Sequence, residues 1–130
     1  MDADQLESIP LFSELTDEQR KLVADRLTET RVDVGAVLAR EGDFAYNLFV
    51  VREGLAAVAS HDTVYTTLRH GDWFGELGLL TKGLRTANVV ALSPMVLLTM
   101  PVWDFSDVMR EVPELGRRVR ERAAEHLERE

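Results

Sequence analysis

The chain has 130 residues, a formal net charge of −8 and no cysteine. That length suffices for one domain with its own apolar core, and the lack of cysteine excludes a disulfide framework. Proteins that bind nucleic acid usually carry a basic patch, whereas residues 1–30 hold eight acidic and three basic side chains. We therefore expect residues 1–130 to form a single domain that makes no direct contact with nucleic acid.

No segment of the sequence reaches the length of a membrane span. The stretch 89–100 is apolar but short, and Ser93 and Pro94 interrupt it, whereas a spanning helix needs about 20 apolar residues. The chain begins Met-Asp-Ala-Asp, unlike the basic start of a signal peptide. The sequence thus predicts no membrane span and a cytoplasmic location.

The predicted elements begin with a helix and continue as short strands. Thr16 and Gln19 form a capping box that opens a helix over 17–27. β-Forming runs then alternate with glycine- and aspartate-rich turns. These runs cover residues 31–33, 37–40, 46–52, 55–60, 64–69 and 86–100. Many short strands at this spacing indicate a mainly β fold, a β-roll (double-stranded jelly roll) over about residues 28–100.

Two helices are predicted to close the chain over about residues 101–130. Pro101 suits the first position of a helix that continues to 111. Pro113 breaks it, because the residue before a proline disfavours helix, and a last helix runs to about 129. That helix carries an apolar stripe at a spacing of four, made of Leu115, Val119, Ala123 and Leu127. The stripe is too short for a coiled coil, so we interpret the helix as packing on its own domain.

Residues 74–89 carry the strongest functional signal. They read Phe-Gly-Glu-Leu-Gly-Leu-Leu-Thr-Lys-Gly-Leu-Arg-Thr-Ala-Asn-Val, with Glu76 nine residues before Arg85. A glycine beside a short helix start lets backbone N–H groups approach an anion closely. The Arg85 guanidinium suits a phosphate, and the Glu76 carboxylate accepts hydrogen bonds from sugar hydroxyls. Together these groups predict a ligand in which a ribose carries a singly charged phosphate.

This segment closely resembles the phosphate-binding cassette of cyclic nucleotide-binding domains. That family includes kinase regulatory subunits, cyclic nucleotide-gated channels and bacterial regulators of the catabolite activator type. The resemblance implies a short cassette helix, with Glu76 on the ribose 2′-hydroxyl and Arg85 on the cyclic phosphate. Backbone N–H groups around Leu77 and Gly78 would complete the phosphate cradle. The predicted ligand-binding residues are therefore Gly75, Glu76, Leu77, Gly78, Arg85 and Thr86.

The resemblance covers nearly the whole chain. Residues 10–15 are similar to the family's N-terminal segment, and Glu41-Gly42-Asp43 is similar to an early turn. Residues 46–51 with Gly54 resemble a central strand and the turn after it. Residues 102–105 and 113–115 resemble the two closing helices.

The resemblance implies a regulatory module that senses a cyclic mononucleotide, with cAMP favoured over cGMP. The nucleotide is a ligand, and no cofactor, metal or catalytic activity is predicted. The signal would pass through movement of the C-terminal helices to a second copy of the chain or to a fused or separate effector domain. Thr86 does not decide the base, because cAMP-selective members also carry threonine there.

Two alternative functions stay open on the sequence. The chain could be the sensing half of a transcription regulator, whose DNA-binding helices would have to follow Glu130. It could also be a ligand-free structural member of the family, although the intact pair of Glu76 and Arg85 argues against that. Whether the open reading frame continues past Glu130 would separate the first alternative from the rest.

The remaining candidate residues favour structural roles. His61 and His70 stand singly at predicted turns and His126 lies on the last helix, so we interpret all three as solvated side chains, unlike a clustered metal site. No Ser/His/Asp arrangement stands out. Trp73 and Phe74 are interpreted as packing residues and not as platforms for a base.

Overall fold

Helices flank a strand-rich segment, as the sequence predicts. A computed structural model describes residues 1–42, 47–60, 63–75 and 87–129, without the side chains of Val102 and of residues 122–129. A 3₁₀ helix covers Ala3–Leu6. The α-helices are α1 (Pro10–Ser13), α2 (Asp17–Ala24), α3 (Val102–Glu111) and α4 (Pro113–Arg129).

The predicted capping box of Thr16 and Gln19 is confirmed at the start of α2. The Thr16 hydroxyl accepts a hydrogen bond from the Gln19 N–H at 3.1 Å, and the Gln19 amide oxygen accepts one from the Thr16 N–H at 3.0 Å. The helix ends at Ala24 and not at residue 27. Beyond it the chain tightens, because the Leu27 N–H donates to the Ala24 carbonyl at 3.2 Å. That turn places the Leu27 side chain, 4% exposed, in the core.

The strands form two antiparallel sheets, which confirms the mainly β jelly-roll fold. The first sheet has the order β1-β8-β3-β6 and the second has the order β2-β7-β4-β5. The strands are β1 (Thr28–Val32), β2 (Val37–Ala39), β3 (Asn47–Glu53), β4 (Ala56–Ser60), β5 (Thr63–Leu68), β6 (Trp73–Phe74), β7 (Asn88–Ala91) and β8 (Met95–Pro101).

Two sequence predictions about strands and helix starts are corrected, and one strand was not predicted. The run 86–100 contains two strands, β7 and β8, which belong to different sheets. Ser93 lies in the turn between them, where its hydroxyl accepts from the Leu55 N–H at 3.0 Å. Strand β6 was not predicted, because two residues are too few to show an alternating pattern. Pro101 ends β8 and caps α3, with an extended backbone (ψ 154°), so the helix begins at Val102.

The core has two parts, one on each face of the first sheet. Because successive side chains of a strand point to opposite faces, Leu48 and Val50 of β3 pack against the helices, while Val51 packs between the sheets. Strand β8 is divided in the same way, with Leu98 towards the helices and Leu97 towards the second sheet. Both central strands are therefore apolar on both faces.

Candidate functional site

The segment that leads into the predicted cassette is fixed by packing at the edge of the first sheet. Phe74 of β6 stands opposite Phe49 of β3, and their rings stack with centroids 4.8 Å apart at 8°. Phe74 is 8% exposed, which agrees with the packing role predicted for it. Gly75 follows with a φ of +102°, a conformation that favours glycine.

The segment that leaves the cassette is fixed in the middle of the second sheet. Asn88, the first residue of β7, stands opposite Ala59 of β4. Its side-chain carbonyl accepts a hydrogen bond from the Glu41 N–H at 2.8 Å. The Ser60 hydroxyl, on a residue only 5% exposed, donates to the Glu41 carboxylate at 2.7 Å. Glu41 thus joins the turn after β2 to the ends of β4 and β7.

The cassette therefore connects the edge of one sheet to the centre of the other. Gly75 is the one predicted ligand-binding residue among those that the structure describes. The others lie outside the described residues and stay predictions: Glu76, Leu77, Gly78, Arg85 and Thr86. The contacts of Asn88, Glu41 and Ser60 were not predicted. A serine in the otherwise apolar strand Ala-Ala-Val-Ala-Ser was the available signal, since a buried hydroxyl needs a partner.

His70 is exposed, as the sequence predicts, but its ring also contacts two backbone carbonyls. Its Nδ1 lies 2.6 Å from the Arg52 carbonyl oxygen and its Nε2 lies 3.1 Å from the Ser8 carbonyl oxygen. These two hydrogen bonds raise the pKa of His70 above its ordinary 6.5. His61 and the side chain of His126 lie outside the described residues.

The described part of the chain has neither a cluster of metal ligands nor a helix suited to crossing a membrane. No group of three or more histidine, cysteine, aspartate or glutamate side chains is placed there to hold a metal ion. No helix there is both long enough and apolar enough to cross a bilayer.

The closing helices are anchored to the N-terminal helices by two arginines. Arg26, after α2, donates to Asp104 of α3 at 2.8 Å, and this hydrogen bond raises the pKa of Arg26. Arg118 of α4 donates to the carbonyls of Pro10 and Leu11, each at 3.3 Å, and pairs with Glu14. The start of α4 is thus held against α1 and is not freely solvated.

Comparison with known proteins places the chain in a family. The family model described as "Cyclic nucleotide-binding domain" matches residues 29–112. The chain is 32% identical over 115 residues to a cAMP-dependent protein kinase regulatory subunit of Hypocrea atroviridis, covering 88% of this chain and 25% of that protein. It is also 32% identical over 125 residues to the human potassium/sodium hyperpolarization-activated cyclic nucleotide-gated channel 4, covering 94% of this chain and 10% of the channel.

A solved structure has a closely similar fold. The regulatory domain of Toxoplasma gondii PKA, co-crystallised with cAMP, superposes with a TM-score of 0.83 at 26% identity, over 95% of this chain and 48% of that one. The fold and the family match define a ligand-binding regulatory class of domain. The chain belongs to the cyclic nucleotide-binding domain family. It spans about a quarter of the length of the fungal relative and a tenth of the channel.

Proposed function

We propose that this chain is a regulatory module that binds cAMP in preference to cGMP and signals through its C-terminal helices. The observation that carries the proposal is the cassette sequence, with Glu76 and Arg85 at the family positions, inside a domain of that family. The structure supports it by placing the two strands that flank the cassette, β6 and β7, in different sheets. Two relatives are named as cAMP-dependent protein kinase regulatory subunits, which supports the preference for cAMP.

In this proposal the phosphate site acts locally against an acidic molecule. The net charge of −8 repels an anion at long range, although salt screens such repulsion beyond about 8–10 Å. The attraction must therefore come from Arg85 and from backbone N–H groups of the cassette. Glu76 holds the ribose 2′-hydroxyl and so distinguishes ribose from deoxyribose. The module carries out no catalytic step.

Helix α4 is the output of the proposed module, and its docking has a defined geometry. Leu115 and Val119 are 3% and 0% exposed and join the helical core. Val112, between α3 and α4, has a non-helical backbone (φ −127°, ψ 77°), as its position before Pro113 predicts. The helix can therefore turn about Val112 if the contacts of Leu115, Val119 and Arg118 are broken. A ligand moves that balance only by binding the docked and undocked states differently.

We expect Glu76→Gln to weaken cAMP binding by roughly fivefold, a loss of about 1 kcal/mol, because the change removes charge assistance but keeps an acceptor. The sharper measurement compares cAMP with 2′-deoxy-cAMP in a calorimeter. The wild-type chain should prefer cAMP strongly, and this preference should shrink in the variant. Equal binding of both ligands by the wild-type chain would show that Glu76 does not hold the ribose.

We expect Arg118→Ala to shift the docking equilibrium of α4 towards the undocked state and to weaken cAMP binding by up to roughly tenfold. The change removes a charged donor, 22% exposed, from two carbonyls, and such hydrogen bonds contribute about 1–2 kcal/mol net. Amide hydrogen exchange across residues 112–127 should become faster in the variant. Saturating cAMP should slow exchange in the same residues of the wild-type chain, because coupling between two equilibria is reciprocal.

The matched control for that variant is Arg117→Ala. Arg117 is 59% exposed and pairs with Glu121 on the same helix, so its loss should leave both affinity and exchange near wild type. Equal effects of the two variants would contradict an output through docking of α4. Deletion of residues 113–130 would be a poorer test, because it also removes Leu115 and Val119 from the core.

A further inference from the structure

His70 lies between the β-roll and the N-terminal segment, and each of its ring nitrogens faces a backbone carbonyl. The Arg52 carbonyl belongs to β3, at a place where the register with β8 shifts between Val51 and Glu53. The Ser8 carbonyl immediately precedes Ile9, the N-cap of α1. One imidazole thus joins the first sheet to Ser8, which is 62 residues earlier in the sequence and immediately precedes the N-cap of α1.

The protonation state of this ring follows from its partners. A carbonyl oxygen can only accept a hydrogen bond, whereas a neutral imidazole has a hydrogen on one nitrogen and a lone pair on the other. In the neutral ring, one nitrogen lone pair would therefore point at a carbonyl lone pair. The imidazolium has a hydrogen on both nitrogens and satisfies Arg52 and Ser8 together.

The surroundings of His70 hold it close to both carbonyls. The turn that carries it is fixed by the Asp72 carboxylate, which accepts from the Arg69 N–H at 2.9 Å. Gly71 packs so closely on the N-terminal segment that an added Cβ would lie 3.0 Å from Cδ of Pro10. The turn therefore contacts residues 8–10 with its backbone as well as with the imidazole.

Charged groups of both signs face the ring. From β3, the Arg52 guanidinium lowers the pKa of His70 and the Glu53 carboxylate raises it, both more weakly than the two carbonyls. Arg52 is itself paired with Glu29 of β1. On the turn lie Arg69 and Asp72, and on the N-terminal segment Glu7 lies 3.9 Å from Arg20. The hydrogen bonds that the ring donates to the Arg52 and Ser8 carbonyls therefore have the largest effect on the pKa of His70.

We propose that His70 is a proton-dependent clamp that fastens the N-terminal segment, residues 8–11, to the β-roll in its imidazolium form. In that form, a cationic side chain binds the backbone at each end of the segment. His70 holds the Ser8 carbonyl, and Arg118 of α4 holds the carbonyls of Pro10 and Leu11. The arginine is charged at every physiological pH, whereas the histidine titrates within that range.

The direction of the pH dependence follows from linkage. The folded state raises the pKa of His70 above the unfolded value, so the stabilisation is complete below pH about 6.5. It is lost as the pH rises through the folded pKa. Between the two pKa values, the equilibrium constant for opening the segment should increase with pH, by at most about tenfold for each pH unit.

The test uses a chain in which His70 is the one histidine of the three in the sequence that is kept, made by His61→Gln and His126→Gln. An NMR titration of the imidazole nitrogens should show a midpoint above 6.5, with both nitrogens protonated on the acidic side of it. Amide exchange at Phe12, whose N–H donates to the Ile9 carbonyl at 2.9 Å, should accelerate with rising pH beyond the intrinsic rate. Exchange at Leu98, in the centre of the sheet, provides the internal reference.

Two variants of His70 separate the clamp from simple packing. His70→Asn places an amide nitrogen near the position of Nδ1, and His70→Gln places one near Nε2, and neither amide titrates. Both variants should make protection at Phe12 independent of pH, with more protection retained in His70→Gln, which can still reach Ser8. A midpoint at or below 6.5 would overturn the proposal. So would an unchanged pH dependence in both variants.

Discussion

Arg85→Ala should abolish measurable cAMP binding while the chain stays folded. In the proposed site the guanidinium is the charged partner of the phosphate, and loss of one partner from a desolvated charge pair costs about 3–5 kcal/mol. That loss corresponds to a weakening of at least roughly a hundredfold. Calorimetric titration measures the affinity, and urea unfolding of the same sample reports stability, which should stay near that of the wild-type chain.

The control for Arg85→Ala is Arg110→Ala, which removes the same charge elsewhere. Arg110 lies on α3 with its side chain 77% exposed and pairs with Asp107 one turn away. Its removal should leave the affinity unchanged within twofold, because exposed pairs contribute little. If Arg85→Ala binds cAMP within tenfold of the wild-type chain, Arg85 does not hold the phosphate and the cassette assignment fails.

Among the glycines at positions 35, 42, 54, 71 and 116, Gly54→Ala should be the most damaging substitution for stability. Gly54 has a φ of +99°, and an added Cβ would lie 2.5 Å from the Pro94 carbonyl oxygen and 2.8 Å from Cγ of Met95. The left-handed conformation costs about 1–2 kcal/mol for a residue with a Cβ, and the overlap adds about 1–3 kcal/mol. Urea unfolding should therefore show a loss of about 2–5 kcal/mol.

Gly35→Ala separates the two causes of that loss. Gly35 has a similar φ of +87° but no atom within 4 Å of an added Cβ, so it should lose only the conformational part. The difference in unfolding free energy between the two variants measures the overlap at Pro94. Losses that agree within about 0.5 kcal/mol would show that the turn after β3 relaxes freely.

The parts of the fold that the sequence predicted well are those set by local chemistry. The capping box of Thr16 and Gln19 and the break before Pro113 each depend on a few neighbouring residues, and both are present. The division of the run 86–100 was harder, because Val89 and Leu97 are both core residues although their strands lie in different sheets. Alternation shows that a residue is buried but not which sheet buries it.

The candidate site likewise has residues that a local motif predicts and contacts that depend on the tertiary fold. Glu76 and Arg85 were recognisable because a contiguous motif carries them, and they stay predictions. Asn88 and Glu41, which are in contact, are 47 positions apart in the sequence, and His70 and Ser8 are 62 positions apart. Such contacts depend on the tertiary fold, and no local pattern indicates them. His70 in particular was indistinguishable from a solvated turn residue in the sequence.

The most direct test of the proposed function is calorimetric titration of the purified wild-type chain with cAMP, cGMP and 5′-AMP. We predict saturable binding of cAMP at one site per chain, weaker binding of cGMP, and no comparable binding of 5′-AMP, whose phosphate is open and carries a charge of roughly −1.5 to −2 at pH 7. Far-ultraviolet circular dichroism of the same sample confirms that the chain is folded. A folded chain that gives no saturable heat with either cyclic nucleotide would contradict the proposed function.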